Sequence, residues 1–207
     1  MKLAVLVAAL LALQGCSVLK PEKSIATSYY SLDSVAMVAP TTVAGQTFKP
    51  TLIINPPSAA AGFGSSRIIY LRQPHKVEYF AHSEWVESPA RMLAPLLVAS
   101  LQSSGIFRAV VLTPSAVAAD WRLNTEIVRL QHEFLGGASK VRFTLRAHYI
   151  DEKNRRIIAI REFDVSVESP TENPYGGVNA ANAAVSKVLR DLSIFSAEAA
   201  AQPVLPK

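Results

Sequence analysis

The chain has 207 residues, half of them hydrophobic, one cysteine and a formal net charge of +5. So small an excess, with no clustered basic face, argues against a nucleic-acid binder, though it would favour acidic headgroups or an acidic protein partner. The length supports one domain with a real core, and a lone cysteine leaves no intrachain disulfide to hold it.

Met1-Lys2 is a minimal positive start, followed by an unbroken apolar run from Leu3 to Leu13. Eleven residues make about 16 Å of helix. A bilayer span needs about 20 residues, so the run fits the core of a secretory signal instead. An ordinary signal would end in Ala-x-Ala. Here Leu13-Gln14-Gly15-Cys16 stands in that place and resembles the lipobox of bacterial lipoprotein signals, with Gln14 its one less usual member. The resemblance implies cleavage before Cys16 and acylation of its thiol. Two or three acyl chains, at about 0.8 kcal/mol per buried CH₂, make a stable anchor. The competing readings are a plain cleaved signal with Cys16 left free, and a cysteine buried in a core. Ser17 differs from the Asp that resembles an inner-membrane retention signal, so the outer membrane is the expected address, with the protein facing the periplasm. The expected division is signal 1–15, lipidated start and tether 16–28, one domain 29–197, and a disordered tail 198–207.

Tyr29 to Leu32 is the first strand candidate, and residues 34–47, with Pro40 and Gly45, read as a loop. Thr51 to Ile54 is a short apolar strand closed by Asn55-Pro56-Pro57. A glycine-containing loop (59–66) leads to the strand Arg67–Arg72. Gln73-Pro74 breaks it, and Lys76–Phe80 follows, so the two form a hairpin. Ser88-Pro89 suits a helix start, and Met92, Leu93, Leu96, Leu97 and Leu101 form one stripe. Pro95 lies past the first turn, so a kink or late start is expected, and Gly105 is the candidate C′ residue. Ile106 to Leu112 reads as a strand.

The long β part begins at Trp121. Leu123, Thr125 and Ile127 alternate, then the apolar phase shifts to Leu130 and Phe134, which predicts a bulge near 127–128. Val141, Phe143, Leu145, Ala147 and Tyr149 alternate against Arg142, Thr144, Arg146 and His148, the pattern of an antiparallel strand with one wet face. A hairpin at 151–155 returns as Ile157–Val167, whose Glu162 and Asp164 would face Arg142 and Arg146 across the strands. Asn173–Gly177 reads as a turn launching a last helix with the stripe Val178, Ala181, Val185, Val188, Leu189, Leu192 and Phe195. Strands, helix, long strands and helix suit an α+β two-layer sandwich: a mainly antiparallel sheet with two main helices on one face.

The search for chemistry finds little. His132-Glu133 begins like a zinc-protease motif, but position 136 is Gly; His82-Ser83-Glu84 lacks the cysteine pair of a zinc deaminase. All four histidines (75, 82, 132 and 148) read as exposed loop or strand residues. Gly62-Phe63-Gly64 lacks the third glycine and the setting of a dinucleotide loop, and no Gly-x-Ser-x-Gly elbow exists. No cofactor, metal site or catalytic set is expected, and the chain reads as a non-enzyme. Two aromatic features stay as candidate partner contacts: Tyr79, Phe80 and Trp85 before the first helix, and Tyr175 before the last. The plainer reading is that Tyr79 and Trp85 wedge helix onto sheet.

Taken in order, Tyr29-Tyr30-x-Leu32, Arg67–Arg72, Val77-Glu78-Tyr79-Phe80, Trp85–Leu93 and Asn173–Val178 resemble the ABC-type transport auxiliary lipoprotein family, the PqiC-like proteins, over essentially the whole domain. The resemblance implies an outer-membrane lipoprotein working beside a transporter whose substrate-binding component carries an MCE domain and which moves phospholipids or other apolar molecules between the two membranes. It brings no catalytic residues; it implies lipid attachment at Cys16 and docking by the folded domain. A periplasmic lipid carrier and a structural lipoprotein of envelope assembly are the competing classes, and self-association into a homo-oligomer stays open.

Overall fold

The computed structural model describes residues 25–33 and 48–201. Cys16, the signal segment, the expected loop 34–47 and residues 202–207 lie outside the described residues. In chain order the elements are β1 (Ser28–Tyr30), β2 (Thr51–Ile54), β3 (Ser58–Ala59), β4 (Arg67–Gln73), β5 (Lys76–Trp85), α1 (Pro89–Ser103), β6 (Ala109–Leu112), β7 (Trp121–Glu133), β8 (Lys140–Asp151), β9 (Arg156–Glu168) and α2 (Pro174–Ala201).

All nine described strands join one sheet, and β7 is its spine. Along one side β7 pairs antiparallel with β8 from Trp121↔Asp151 to Glu133↔Lys140, and β8 pairs antiparallel with β9. Its other side is shared, all in parallel, by β2 near its start, β3 in the middle and β4 at its end. β5 returns antiparallel on β4, β1 pairs parallel with β5, and β6 pairs parallel with β2. The α+β class and the helix-covered sheet are as expected. The longest ladders are antiparallel, while the short strands add a parallel component that periodicity does not reveal.

The predicted bulge is present: the β7–β8 register shifts between Ile127 and Arg129. It returns Leu130 to the helix face, where Leu123, Ile127, Leu145, Phe143 and Tyr149 are buried. Leu93, Leu97 and Leu101 of α1 and Val185, Val188, Leu189 and Leu192 of α2 close over them. Burying a side chain of this size contributes about 1.5–3 kcal/mol. Ser100 Oγ lies 3.4 Å from Ser193 Oγ between the helices. Nearer their starts, the Leu32 N–H reaches Met92 Sδ, and the Asp33 N–H donates to Asn182 Oδ1 at 3.0 Å. The two helices therefore run in the same direction, with residues 31–33 pinned between them.

Some boundaries differ from expectation. Ser88 stands at the N-cap, but its side chain makes no capping bond; its carbonyl accepts from the Arg91 and Met92 N–H groups instead. α1 is helical from Pro89, with Pro95 inside it and exposed, so the late start is absent. Gly105 does adopt positive φ, at 70°. α2 begins at Pro174, so Tyr175, Gly176 and Gly177 form its first turn rather than a preceding loop. It also continues four residues past the expected domain end at 197: Ala199 is buried and Glu198 pairs with Arg161 at 2.8 Å, so 198–201 are helix and not tail.

Candidate functional site

The chemistry of the aromatic residues collects at one end of the sheet, where the β4–β5 hairpin, the β7–β8 turn and the start of α2 meet. Three backbone or side-chain contacts bind these together. The Phe134 N–H donates to the Leu71 carbonyl, the Ser169 N–H to the Ser139 carbonyl, and His132 Nε2 lies 3.0 Å from Ser139 Oγ. Gly136 and Gly137 have φ of 112° and 71°, which glycine alone adopts without strain and which turns β7 back into β8 within a few residues. Asn173 starts α2 by accepting the Gly176 N–H on Oδ1 and the Gly177 N–H on its carbonyl.

On this frame Tyr70 stacks on Phe80 with centroids 4.4 Å apart and meets Phe134 edge-on at 6.1 Å. Phe134 in turn lies 4.1 Å from the His132 ring. Such pairs add about 0.5–1.5 kcal/mol beyond their burial. Tyr70, Phe80 and Phe134 are half-buried, and two exposed apolar side chains flank them: Leu135 is 47% and Tyr175 61% exposed.

The four residues singled out as partner contacts therefore do not form one surface. Phe80 belongs to this half-open aromatic shelf, and Tyr175 stands at its rim. Tyr79 points to the opposite side of the β4–β5 arm, with the Arg67 guanidinium 4.9 Å over its ring. Trp85 is 4% exposed and packs in the core, the wedge that the plainer reading gave it. Cys16 lies outside the described residues.

His132 corrects the expectation that the histidines are exposed. It is 2% exposed beneath the first turn of α2, and its Nδ1 has no hydrogen-bond partner among the described residues. Burial lowers its pKa from 6.5 to about 4, so the ring is neutral at neutral pH. The signal that could have found it is the glycine pair 176–177: with no side chain at 177, the helix lies directly on the imidazole. His75, His82 and His148 are exposed or half-exposed, as expected.

The face of the sheet away from the helices is a lattice of ion pairs. Arg146 bridges Glu126 at 2.9 Å and Glu162 at 2.8 Å; Arg142 grips Asp164, which also accepts from Thr144 at 2.8 Å. The Arg142 bond holds the Asp164 carboxyl down at about 2. Arg122 pairs with Glu152 and donates to Asn55. The cross-strand pairing expected of Arg142 and Arg146 is thus present. Among the described residues no three His, Cys, Asp or Glu side chains gather as metal ligands. No described helix is long and apolar enough to cross a membrane.

Residues 30–193 match the sequence model of the family described as ABC-type transport auxiliary lipoprotein component. No curated protein matches the chain. Among solved structures, a Xanthomonas campestris protein of family DUF330 superposes with a TM-score of 0.73 at 21% identity, covering 84% of this chain and 96% of that one. A hypothetical protein from Chlamydia trachomatis superposes with a TM-score of 0.54 at 10% identity, covering 74% and 98%. At these identities the likeness is one of fold.

Proposed function

Because the chain belongs to the family of ABC-type transport auxiliary lipoprotein components, we propose that it is the tethered docking element of an envelope transporter. Cys16 carries the acyl chains, and the outer membrane holds them. The folded domain captures the periplasmic end of an MCE-type partner and fixes it there. Phospholipid or another apolar cargo then passes between the membranes without entering water, which is the main free-energy obstacle for an acyl chain. Support for the anchor comes from the lipobox-like Leu13-Gln14-Gly15-Cys16 and from Ser17 after it. No catalytic step is part of this function.

The observation that favours docking over carriage is the close packing between helices and sheet among the described residues. Helices and sheet meet through side chains such as Leu93, Leu97, Leu189 and Leu192 that are 0% exposed. The cavity between α2 and the sheet, lined by Ile68, Trp85, His132 and Gly177 among others, has a volume of about 10 Å³. That is room for about one water, whereas small-molecule sites run to about 300–1,000 Å³.

The test is to extract the acylated protein in mild detergent and purify it. Docking predicts recovery of an MCE-domain protein and no stoichiometric lipid beyond the acyl chains on Cys16; one tightly held phospholipid per chain would establish the carrier instead. Cys16→Ala should abolish acyl labelling and membrane fractionation. A Cys16→Ala protein that still pellets with outer membranes and supports transport would refute the anchor.

A further inference from the structure

We propose that the end of the sheet bearing the aromatic shelf is the membrane-facing end, and that Leu135 and Tyr175 sit in the lipid headgroup region. The inference rests on the anchor at Cys16 and adds an orientation to it. Its basis is strand direction. β4 and β7 both run toward the shelf, and β5 runs back from it. β1 lies parallel to β5, with Ser28 beside Ser83 and Tyr30 beside Trp85. The chain therefore enters β1 from the shelf side, and Ile25, the first described residue, lies shelfward of Ser28. Only the eight residues 17–24 separate it from Cys16. The nine Cα–Cα steps from Cys16 to Ile25 span at most about 30 Å when fully extended, so an acylated Cys16 keeps this end close to its bilayer. The opposite end, where β6 and β7 begin, is left for the periplasm.

The exposed side chains at this end fit a lipid surface. Leu135 tops the β7–β8 turn, and Tyr175 projects from the first turn of α2, 61% exposed. A tyrosine of this kind, apolar in its ring and polar at its tip, is at home at the membrane–water boundary. Val77, 49% exposed in the neighbouring hairpin, adds apolar area. Arg72 and Lys76 of the same hairpin share the single carboxylate of Glu78, and Lys140 after the β7–β8 turn is exposed, so these cations leave positive charge toward anionic headgroups.

The experiment uses the acylated full chain, in which Cys16 is blocked, so that a single added cysteine takes an environment-sensitive fluorophore. Leu135→Cys, Tyr175→Cys and, at the far end, Val117→Cys are labelled and reconstituted into 3:1 phosphatidylethanolamine–phosphatidylglycerol vesicles, with and without doxyl-labelled lipid. Labels at 135 and 175 should shift to the blue and lose at least half their emission to the doxyl lipid, while the label at 117 stays unquenched. Quenching at 117 instead, or at none of the three, overturns the orientation. Tip labels that shift only when an MCE-domain protein is added overturn it in favour of a protein contact. Mass spectrometry of Cys16 is run on the same samples: an unacylated cysteine would sink the anchor itself, a failure distinct from an anchored protein lying the other way.

Discussion

Gly177 and His132 pack so closely that a Cβ on the glycine would lie 2.5 Å from His132 Nδ1. Neither partner can yield. The imidazole is held by Ser139 on its other nitrogen and lies 4.1 Å from the ring of Phe134. The helix is held by the Asn173 cap. Gly177→Ala should therefore destabilise the protein by about 1–3 kcal/mol, as overpacking does, despite the gain of up to about 1 kcal/mol that alanine offers a helix over glycine. A urea-unfolding midpoint equal to or above that of the parent protein would show that the ring moves freely.

The same histidine sets an acid limit. Its folded pKa of about 4 lies below the unfolded value of 6.5, so between these the unfolded state binds more protons. Stability is then fully present above about pH 6.5 and falls as pH drops toward 4, by up to about 3 kcal/mol. Asp164 acts in a separate, more acidic window: its folded value of about 2 is below the ordinary 3.8, so its contribution is lost only as pH falls from 3.8 toward 2. It is also partly exposed, which limits that contribution to about 1 kcal/mol. A ring-proton NMR titration of His132 with a midpoint near 6.5 would contradict the burial.

Trp85 and Tyr175, both plausible contacts from sequence, should part company on mutation. Trp85→Ala removes a core side chain and should cost about 3–5 kcal/mol. Tyr175→Ala removes an exposed one and should change stability by less than about 0.5 kcal/mol. Chemical denaturation of the two variants decides; equal losses would mean that Tyr175 is packed more tightly than its exposure indicates.

Arg146 touches two carboxylates, yet it is 41% exposed and its partners are comparably wet. Arg146→Ala should cost under about 1 kcal/mol, and the loss should shrink further in high salt. A salt-independent loss above about 2 kcal/mol would assign the lattice a structural role instead of a solvated one.

What the sequence discloses is local. The alternation from Val141 to Tyr149 needs only its own residues, and the bulge at 127–129 shows as a phase shift within one strand. The stripes of both helices are legible for the same reason. What stays hidden depends on distant partners. β2, four residues long, is parallel to β6 and β7 only because α1 and a hairpin separate it from them. β5 runs on to Trp85 because its register against β4 slips by several residues between Tyr79 and Glu84, which destroys alternation in Phe80–Ser83. The burial of His132 is decided by a glycine 45 residues later. Of the candidate site, the aromatic residue types were visible, and alternation alone sets Tyr79 and Phe80 on opposite faces; the burial of Trp85, which unbroken alternation would put on the Tyr79 side, was not visible, because it follows from that same slip.

The three-residue strand β1 has a mechanical meaning. It is the first described strand, and under the anchor proposed at Cys16 it is where the tether would join the body of the protein. It is joined to β5 in register from Ser28 to Tyr30, and the Val86 N–H closes on the Tyr30 carbonyl. A pull on Ile25 along the strand axis shears these bonds all together, where a pull across the axis would unzip them one at a time. Behind them, Asn182 clasps the chain at Ser31 and Asp33. Tension applied at Ile25 is thereby borne first by β1 at the edge of the sheet and then passed through Asn182 into α2, the longest described element.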